Sequence, residues 1–356
     1  MERFFYNLAT DKYRGWPFIL PKAILLVLSW AYAGAVVFLA YFSRLQQKRM
    51  QCKVISVGNI TVGGTGKTAL VEYIAGFLCS HSRKVAVVSR GYKKLRRTSV
   101  AADYRSMGDE PYMLMKKLQG VQVVVDPNRI AACRTAVLDH GADTVIFDDG
   151  LQQWKVYKDL EIVTIDSANP FGNGYLLPRG IMREPLSALR RADVFVLTKV
   201  RENAHATEIE QTLSRINPRA LIAKAVHKPA GLYRLDDPLR VFPLSFLKGT
   251  KAGIFCGIGD PLSFERTCEE LGLTVVAQRR FPDHHDFSAA DLKEMARQSL
   301  AAGAKAMVTT QKDAARLSKE LCAENLGMSL WVVCIEMRFI DNEEGFRARL
   351  RGIYSA

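Results

Sequence analysis

The sequence has little of what would place it among disulfide-stapled, fibrous or disordered proteins. Its seven cysteines, at positions 52, 79, 133, 256, 268, 322 and 334, include no Cys-x-x-Cys pair. That scatter argues against a disulfide framework and a zinc site, and it assigns the folded part to a reducing compartment. Only 13 of the 356 residues are proline, and there is neither a long biased tract nor an internal repeat. Disorder and solenoid architectures are therefore not indicated. No short apolar core with a small-residue cleavage site marks a removable signal peptide.

What is present is charge of one sign. Lys and Arg number 50 against 36 Asp and Glu, a formal net charge of +14. An anionic partner follows, and nucleic acid, anionic lipid or a phosphorylated substrate would each satisfy the demand. Apolar residues at 48% and charged residues at 24% describe a folded globular chain. Its length exceeds one ordinary core and fits two α/β units.

One stretch lacks charge altogether. Ala23 to Ser43 is 21 uncharged residues bounded by Lys22 and Arg44. At about 1.5 Å per residue this makes roughly 30 Å of helix, the thickness of a bilayer core. Trp16, Trp30, Tyr32 and Tyr41 suit an interfacial position. A buried core helix is the competing reading, but soluble helices of this length usually carry a polar face. Arg3, Lys12, Arg14 and Lys22 precede the segment and Arg44, Lys48, Arg49 and Lys53 follow it. Basic flanks on both sides give no orientation, and they fit a helix whose two ends stay near one anionic surface.

Next comes strand, loop, helix: the apolar run Lys53 to Gly58, then Thr61-Val62-Gly63-Gly64-Thr65-Gly66-Lys67-Thr68, then apolar helical spacing from Ala69 to Cys79. Glycines at 63, 64 and 66 let backbone N–H groups turn in around phosphate oxygens, where the helix N-terminus adds its positive end. Lys67 then reaches the β- and γ-phosphates and Thr68 offers its hydroxyl to Mg²⁺. The strict phosphate-loop pattern has glycine where this chain has Thr61. Partition-type ATPases carry lysine at the position of Val62, which speaks against that branch.

A second apolar strand, Asp143 to Asp148, ends in acid roughly 80 residues after Lys67. Asp148 is the candidate Mg²⁺ carboxylate, and Asp149 beside it puts a second acid at a strand's C-terminal end, where open α/β sheets place ligands. A capping aspartate with a solvated neighbour is the plainer alternative. The strand Asp193 to Lys199 stands where GTPases carry their guanine-reading Asn-Lys-x-Asp, with Thr198 and Arg201 in place of the asparagine and aspartate, so adenine nucleotide is favoured.

The polar connections between these strands exceed what a plain NTPase needs. Five basic residues fall within Arg90 to Arg97, serving either an anion or a solvated loop. Phosphoryl transfer to a hydroxyl benefits from a carboxylate that accepts its proton, and Asp109 is the candidate, against a cap before Pro111. His284 and His285 sit among acids in Phe281 to Ser288, and one of them paired with a carboxylate would tune a base at neutral pH.

Taken in order, GNITVGGTGKT, SRGY, GDEP, DPNR, DDGLQQ, LLPRGIMREP, LTK, FPDHHDF and VTTQKDAARL resemble the tetraacyldisaccharide 4'-kinase family from about residue 10 to about residue 340. The resemblance implies transfer of the ATP γ-phosphate to the 4'-hydroxyl of a tetraacylated disaccharide 1-phosphate, at the cytoplasmic face of the bacterial inner membrane, in lipid A biosynthesis. Lys67 and Thr68 would then serve ATP and Mg²⁺, Asp148 and Asp149 the metal and the transfer, and Asp109 would be the base with His284 its partner. Tyr92, Glu110, Arg129, Gln152, Arg183 and Glu184 would complete the substrate site. The family's strand-end motif usually finishes Gln-His, and this chain has Gln153 there.

The expected architecture is a P-loop NTPase-type α/β fold with a mostly parallel sheet. Residues 1–50 are read as a membrane-attached helix, 51–225 as the nucleotide domain, 226–250 as a linker and 251–356 as a smaller α/β domain. The resemblance implies that this second domain presents His284 and moves to close the site. Gly257-Ile258-Gly259 lacks the third glycine of a dinucleotide fingerprint and reads as a structural turn. Expected partners are the lipid substrate and an anionic membrane surface, with no nucleic acid and no obligate protein partner. Two other classes compete: a membrane-tethered ATPase switch acting on a protein, and a non-enzymatic binder of nucleic acid or membrane that leaves the phosphate loop without a role.

Overall fold

A computed structural model of the chain describes residues 7–8, 10–13, 15–91, 107–118, 120–200, 205–317 and 326–355. The chain divides into two compact units, one of residues 1–90, 118–226 and 337–356, the other of 91–117 and 227–336.

In the first unit, β1 (Lys53–Gly58), β2 (Val85–Ser89), β3 (Gln122–Val125), β4 (Thr144–Asp148), β5 (Leu160–Asp166), β6 (Val194–Thr198) and the first half of β7 (Leu221–Arg234) form one parallel sheet. The order is β7-β6-β5-β1-β4-β2-β3. The central strands β1, β4 and β6 read as unbroken apolar runs because helices cover both faces of such a sheet. One core gathers Val54, Val88, Phe147 and Ala132; the other gathers Ile60, Leu151, Phe195 and Leu213.

The order reverses at β1, whose neighbours are β4 and β5. Ligands of open α/β sheets sit outside the carboxyl ends of strands at such a point. The pairing Val57↔Asp148 brings the end of β4 beside the end of β1. Gly58 cannot be larger, since a Cβ there would meet the Leu151 backbone nitrogen at 2.5 Å.

The apolar segment forms helix α1 (Ile19–Leu45). Only Ser29, Val36 and Ala40 of it are buried, while Ile24, Val27, Leu28, Val37, Phe38 and Leu39 stand exposed. A helix serving as the core of a soluble domain would hide these side chains. Two polar residues fix it to the unit: Ser29 Oγ donates to the Leu176 carbonyl at 2.8 Å and Tyr32 OH to the Arg183 carbonyl at 3.0 Å. It is the one helix among the described residues long and apolar enough to cross a membrane.

In the second unit, β9 (Lys251–Cys256), β10 (Thr274–Arg280), β11 (Ala306–Thr310) and β12 (Ser329–Asp341) make parallel pairs in the order β10-β9-β11-β12. Leu232, Ile254, Val308 and Trp331 form one of its cores, Phe255, Phe281, Phe287 and Met307 another. The stretch 226–250, expected to be a linker, carries the second half of β7 and its antiparallel partner β8 (Asp237–Phe242). Pro238 is tolerated because β8 pairs with β7 alone, and an edge strand can spare a donor. The last residues also depart from expectation. They fall in the first unit, where Phe339 and Phe346 pack on Tyr73, and Glu343 accepts the Tyr73 hydroxyl at 2.6 Å.

Candidate functional site

The loop after β1 folds as a phosphate cradle requires. Gly63 (φ 125°) and Gly66 (φ 80°) occupy the left-handed region, and a Cβ on Gly63 or Gly64 would point into open space. Thr65 is buried, its hydroxyl 2.7 Å from that of Thr164. The Thr198 hydroxyl donates to the Thr65 carbonyl at 3.0 Å. Thr198, which stands where a guanine reader would have asparagine, thus braces the loop. Val62 N donates to the Ile181 carbonyl at 2.7 Å, tying the loop to the segment that brings Arg183. Lys67 and Thr68 open helix α2 (Lys67–Ser80), whose N-terminus directs its free N–H groups at the cradle.

Around Lys67 the structure gathers a network of six polar side chains. Its ammonium donates to Asn59 Oδ1 at 3.0 Å and lies 3.6 Å from Asp149 Oδ1. Arg183 Nη1 donates to both oxygens of Asp149, at 3.0 and 2.8 Å, and to Gln152 Oε1 at 3.1 Å, while Nη2 reaches Asn59 Oδ1 at 2.9 Å. Arg183 Nε donates to the Thr61 carbonyl at 3.2 Å. Gln152 Nε2 donates to Glu184 Oε1 at 3.0 Å, and the buried Glu184 also accepts from Arg191 at 2.8 Å. Burial pushes the Asp149 carboxyl upward, but Lys67 and Arg183 outweigh it and hold the group below its ordinary value. Asp149 is thus an anion with both oxygens engaged, its backbone held at φ 59°.

Asp148 is buried at the end of β4, and the almost fully buried Arg129 donates to its carbonyl at 3.1 Å. Arg129 therefore grips the strand end from within. The Thr68 hydroxyl and the Asp148 carboxylate are hard oxygen donors that fit Mg²⁺. Among the described residues no group of three or more His, Cys, Asp or Glu could hold a metal.

Asn59 and Arg191 were not singled out from the sequence. Asn59 is buried and serves Lys67, Arg183 and, through Nδ2, the Thr61 carbonyl at 2.6 Å. The available signal is a polar residue wedged between an apolar strand and a glycine loop.

The second unit carries its own constellation. Asp109 opens helix α3 (Asp109–Lys117), and its Oδ2 lies 2.8 Å from His284 Nδ1 and 2.7 Å from Arg316 Nε. His284 follows β10 with φ 60°, a conformation that costs a non-glycine residue energy and is found at functional sites. Burial raises the Asp109 carboxyl, yet His284 and Arg316 bring it below its ordinary value. The hydrogen bond to Asp109 in turn raises His284. Glu110 accepts from Lys312 Nζ at 3.0 Å. His285 pairs instead with Asp291, at 3.1 Å, and stacks on Phe281. Tyr92 and the basic residues 93–97 lie outside the described residues.

A family model described as tetraacyldisaccharide-1-P 4'-kinase matches residues 21–354. A tetraacyldisaccharide 4'-kinase of Anaeromyxobacter dehalogenans (strain 2CP-C) is 39% identical over 316 residues, 86% of this chain and 83% of that protein. One of Syntrophus aciditrophicus (strain SB) is 37% identical over 342 residues, 89% of this chain and 90% of that protein. The "apo" form of LpxK from Aquifex aeolicus in complex with ATP, a crystal structure, shares the fold with a TM-score of 0.73 at 28% identity, covering 94% of this chain and 99% of that one.

Proposed function

The chain belongs to the tetraacyldisaccharide-1-P 4'-kinase family, and from that premise we propose that it transfers the ATP γ-phosphate to the 4'-hydroxyl of a tetraacyldisaccharide 1-phosphate in lipid A biosynthesis. Asp109 is the acceptor's base. The reading is carried by its carboxylate, ionised and held 2.8 Å from a histidine. A nucleotide switch that only hydrolyses ATP gives that pair no task, and the switch reading is not favoured.

In the transfer, the 4'-oxygen bonds to the γ-phosphorus as the bond to the β–γ bridging oxygen breaks, its electron pair leaving with ADP. The hydroxyl proton passes to Asp109. Lys67, the cradle N–H groups and the N-terminus of α2 hold the phosphates and offset the charge that spreads over them. Arg183 keeps Asp149 and Asn59 in place around Lys67. Thr68 and Asp148 would hold Mg²⁺, which neutralises phosphate charge when bound. Glu110, Gln152 and Glu184 belong to the substrate side of the reading, with Tyr92.

The exposed apolar α1, with basic residues at both ends, supports attachment to an anionic membrane, and the use of ATP assigns the enzyme to its cytoplasmic face. Such attachment would bring it to a substrate whose acyl chains never leave the bilayer.

The test is transfer of labelled γ-phosphate from Mg²⁺-ATP to tetraacyldisaccharide 1-phosphate in detergent, with wild type beside Asp109→Ala. Labelled lipid from the wild type and a loss of about 10²-fold or more in the variant are expected. ATP consumption with no labelled lipid would sink the kinase reading.

A further inference from the structure

Two cationic groups meet Asp109 at a single oxygen, Oδ2. Among the described residues no hydrogen bond reaches Oδ1. The two partners differ in kind. The His284 side chain is an imidazole 49% exposed, whereas the Arg316 side chain is a planar guanidinium fork only 1% exposed.

Arg316 is also anchored at its far end. It closes the short helix α4 (Gln311–Arg316), and its Nη1 donates to the Gly257 carbonyl at 2.8 Å and to Asp313 Oδ1 at 3.2 Å. Asp313, fully buried, accepts the Thr310 hydroxyl at 2.6 Å and the Gly257 N–H at 3.0 Å. The Gly257 carbonyl accepts a second bond, from the His284 backbone N–H at 3.2 Å. Both partners of Asp109 are thus referred to one peptide unit, the turn after β9. A methyl group on Gly257 would press on Pro282 O, Asp313 Oδ1 and His285 Cβ at 3.1 to 3.3 Å. A guanidinium removed from water is expensive, and apolar side chains of similar volume usually serve stability as well or better. The retained charge therefore calls for a task.

We propose that Arg316 is a positioning residue for the transfer, locking Asp109 through Oδ2 so that Oδ1 is the atom that takes the acceptor hydroxyl's proton. The inference rests on the kinase reading above and adds the residue that orients its base. Arg316 touches neither nucleotide nor lipid in this scheme and acts only through Asp109.

The groups facing Asp109 are few. His284 comes from the loop after β10, with Asp283 Oδ2 3.9 Å from its Nε2. Arg316 and Asp313 come from α4, and Lys312 of the same helix is paired with the adjacent Glu110. An opposite charge at this range lowers a carboxyl by about 1 to 3 pH units. Removing Arg316 leaves His284 alone to oppose the upward push of burial.

The experiment is the pH dependence of kcat for lipid phosphorylation by the full-length chain in detergent, comparing wild type, Arg316→Met and Arg316→Lys. For Arg316→Met we expect kcat about 10-fold or more below wild type at neutral pH, an acid limb moved up by about 1 to 3 units, and an unchanged KM for ATP. Arg316→Lys keeps the charge without the fork, so its kcat falls while its limb stays within about half a unit of wild type. Should Arg316→Met not fold, Asp313→Asn replaces it, freeing the guanidinium while keeping its charge; a lowered kcat with an unmoved limb and unchanged KM is expected there. Folded variants with the wild-type kcat and limb overturn the proposal, as does a rise in the KM for ATP that accounts for the loss. A wild type that labels no lipid overturns the kinase reading instead, so the two failures are told apart.

Discussion

Asp149 and Asp109 are both aspartates set against an arginine and a second cation, and they are built for different work. Asp149 has both oxygens engaged by Arg183, with Lys67 beside Oδ1. Asp109 is gripped at Oδ2 alone. The first has both oxygens filled; the second has one left over, which in the proposed reading takes the acceptor's proton. In each unit the groups stand at carboxyl ends of parallel strands, after β1 and β4 in one and after β9, β10 and β11 in the other. A non-glycine residue at positive φ helps in both, Asp149 in the first and His284 in the second. Carboxylate chemistry is thus set by how many oxygens the scaffold occupies, more than by residue type.

The contrast can be sharpened by substitution. Arg183→Lys keeps the charge but cannot reach Asp149, Gln152 and Asn59 together. Losing charge-assisted bonds worth about 1.5 to 3 kcal/mol predicts a rise of roughly 10- to 100-fold in the KM for ATP, with kcat less affected, read from initial rates. An effect confined to kcat would move Arg183 to the acceptor side. A stability change of about 1 to 3 kcal/mol is expected for Gly58→Ala, since the added methyl meets the Leu151 backbone nitrogen at 2.5 Å and must spread β1 from the turn after β4. Denaturant melts check it, and an unchanged midpoint would mean that the strand ends are free to adjust. The smallest effect is expected from Tyr32→Phe. It removes one hydrogen bond from α1 to the Arg183 carbonyl and lowers stability by about 0.5 to 1.5 kcal/mol in thermal melts, leaving the apolar face of the helix intact.

Sequence reasoning reached what local patterning encodes. Apolar runs with acid or glycine at their ends located β1, β4 and β6, and the glycine loop located the turn from β1 into α2, with Lys67 and Thr68 at the helix start. The hidden part depended on long-range contacts. Arg316 lies in a quoted motif, but nothing local says that its guanidinium, 207 positions from Asp109 in the chain, will meet that carboxylate. Asn59 hid because a buried asparagine is recognisable only by the groups that converge on it. The prolines at 229 and 238 suggested a linker where β7 and β8 run; Pro238 is tolerated because β8 is an edge strand. Likewise, the aromatic contacts of Phe339 and Phe346 with Tyr73 decide where the last residues belong, and no period in the sequence announces them.

The division of labour is tested most directly by measuring ATP binding and lipid phosphorylation together for Lys67→Ala and Asp109→Asn. Calorimetric titration gives the first and labelled transfer the second. Asp109→Asn should bind ATP like the wild type and transfer about 10²- to 10⁴-fold more slowly, whereas Lys67→Ala should lose both. If Asp109→Asn weakened ATP binding as much as Lys67→Ala, Asp109 would belong to the nucleotide site, and its assignment as the acceptor's base would be contradicted.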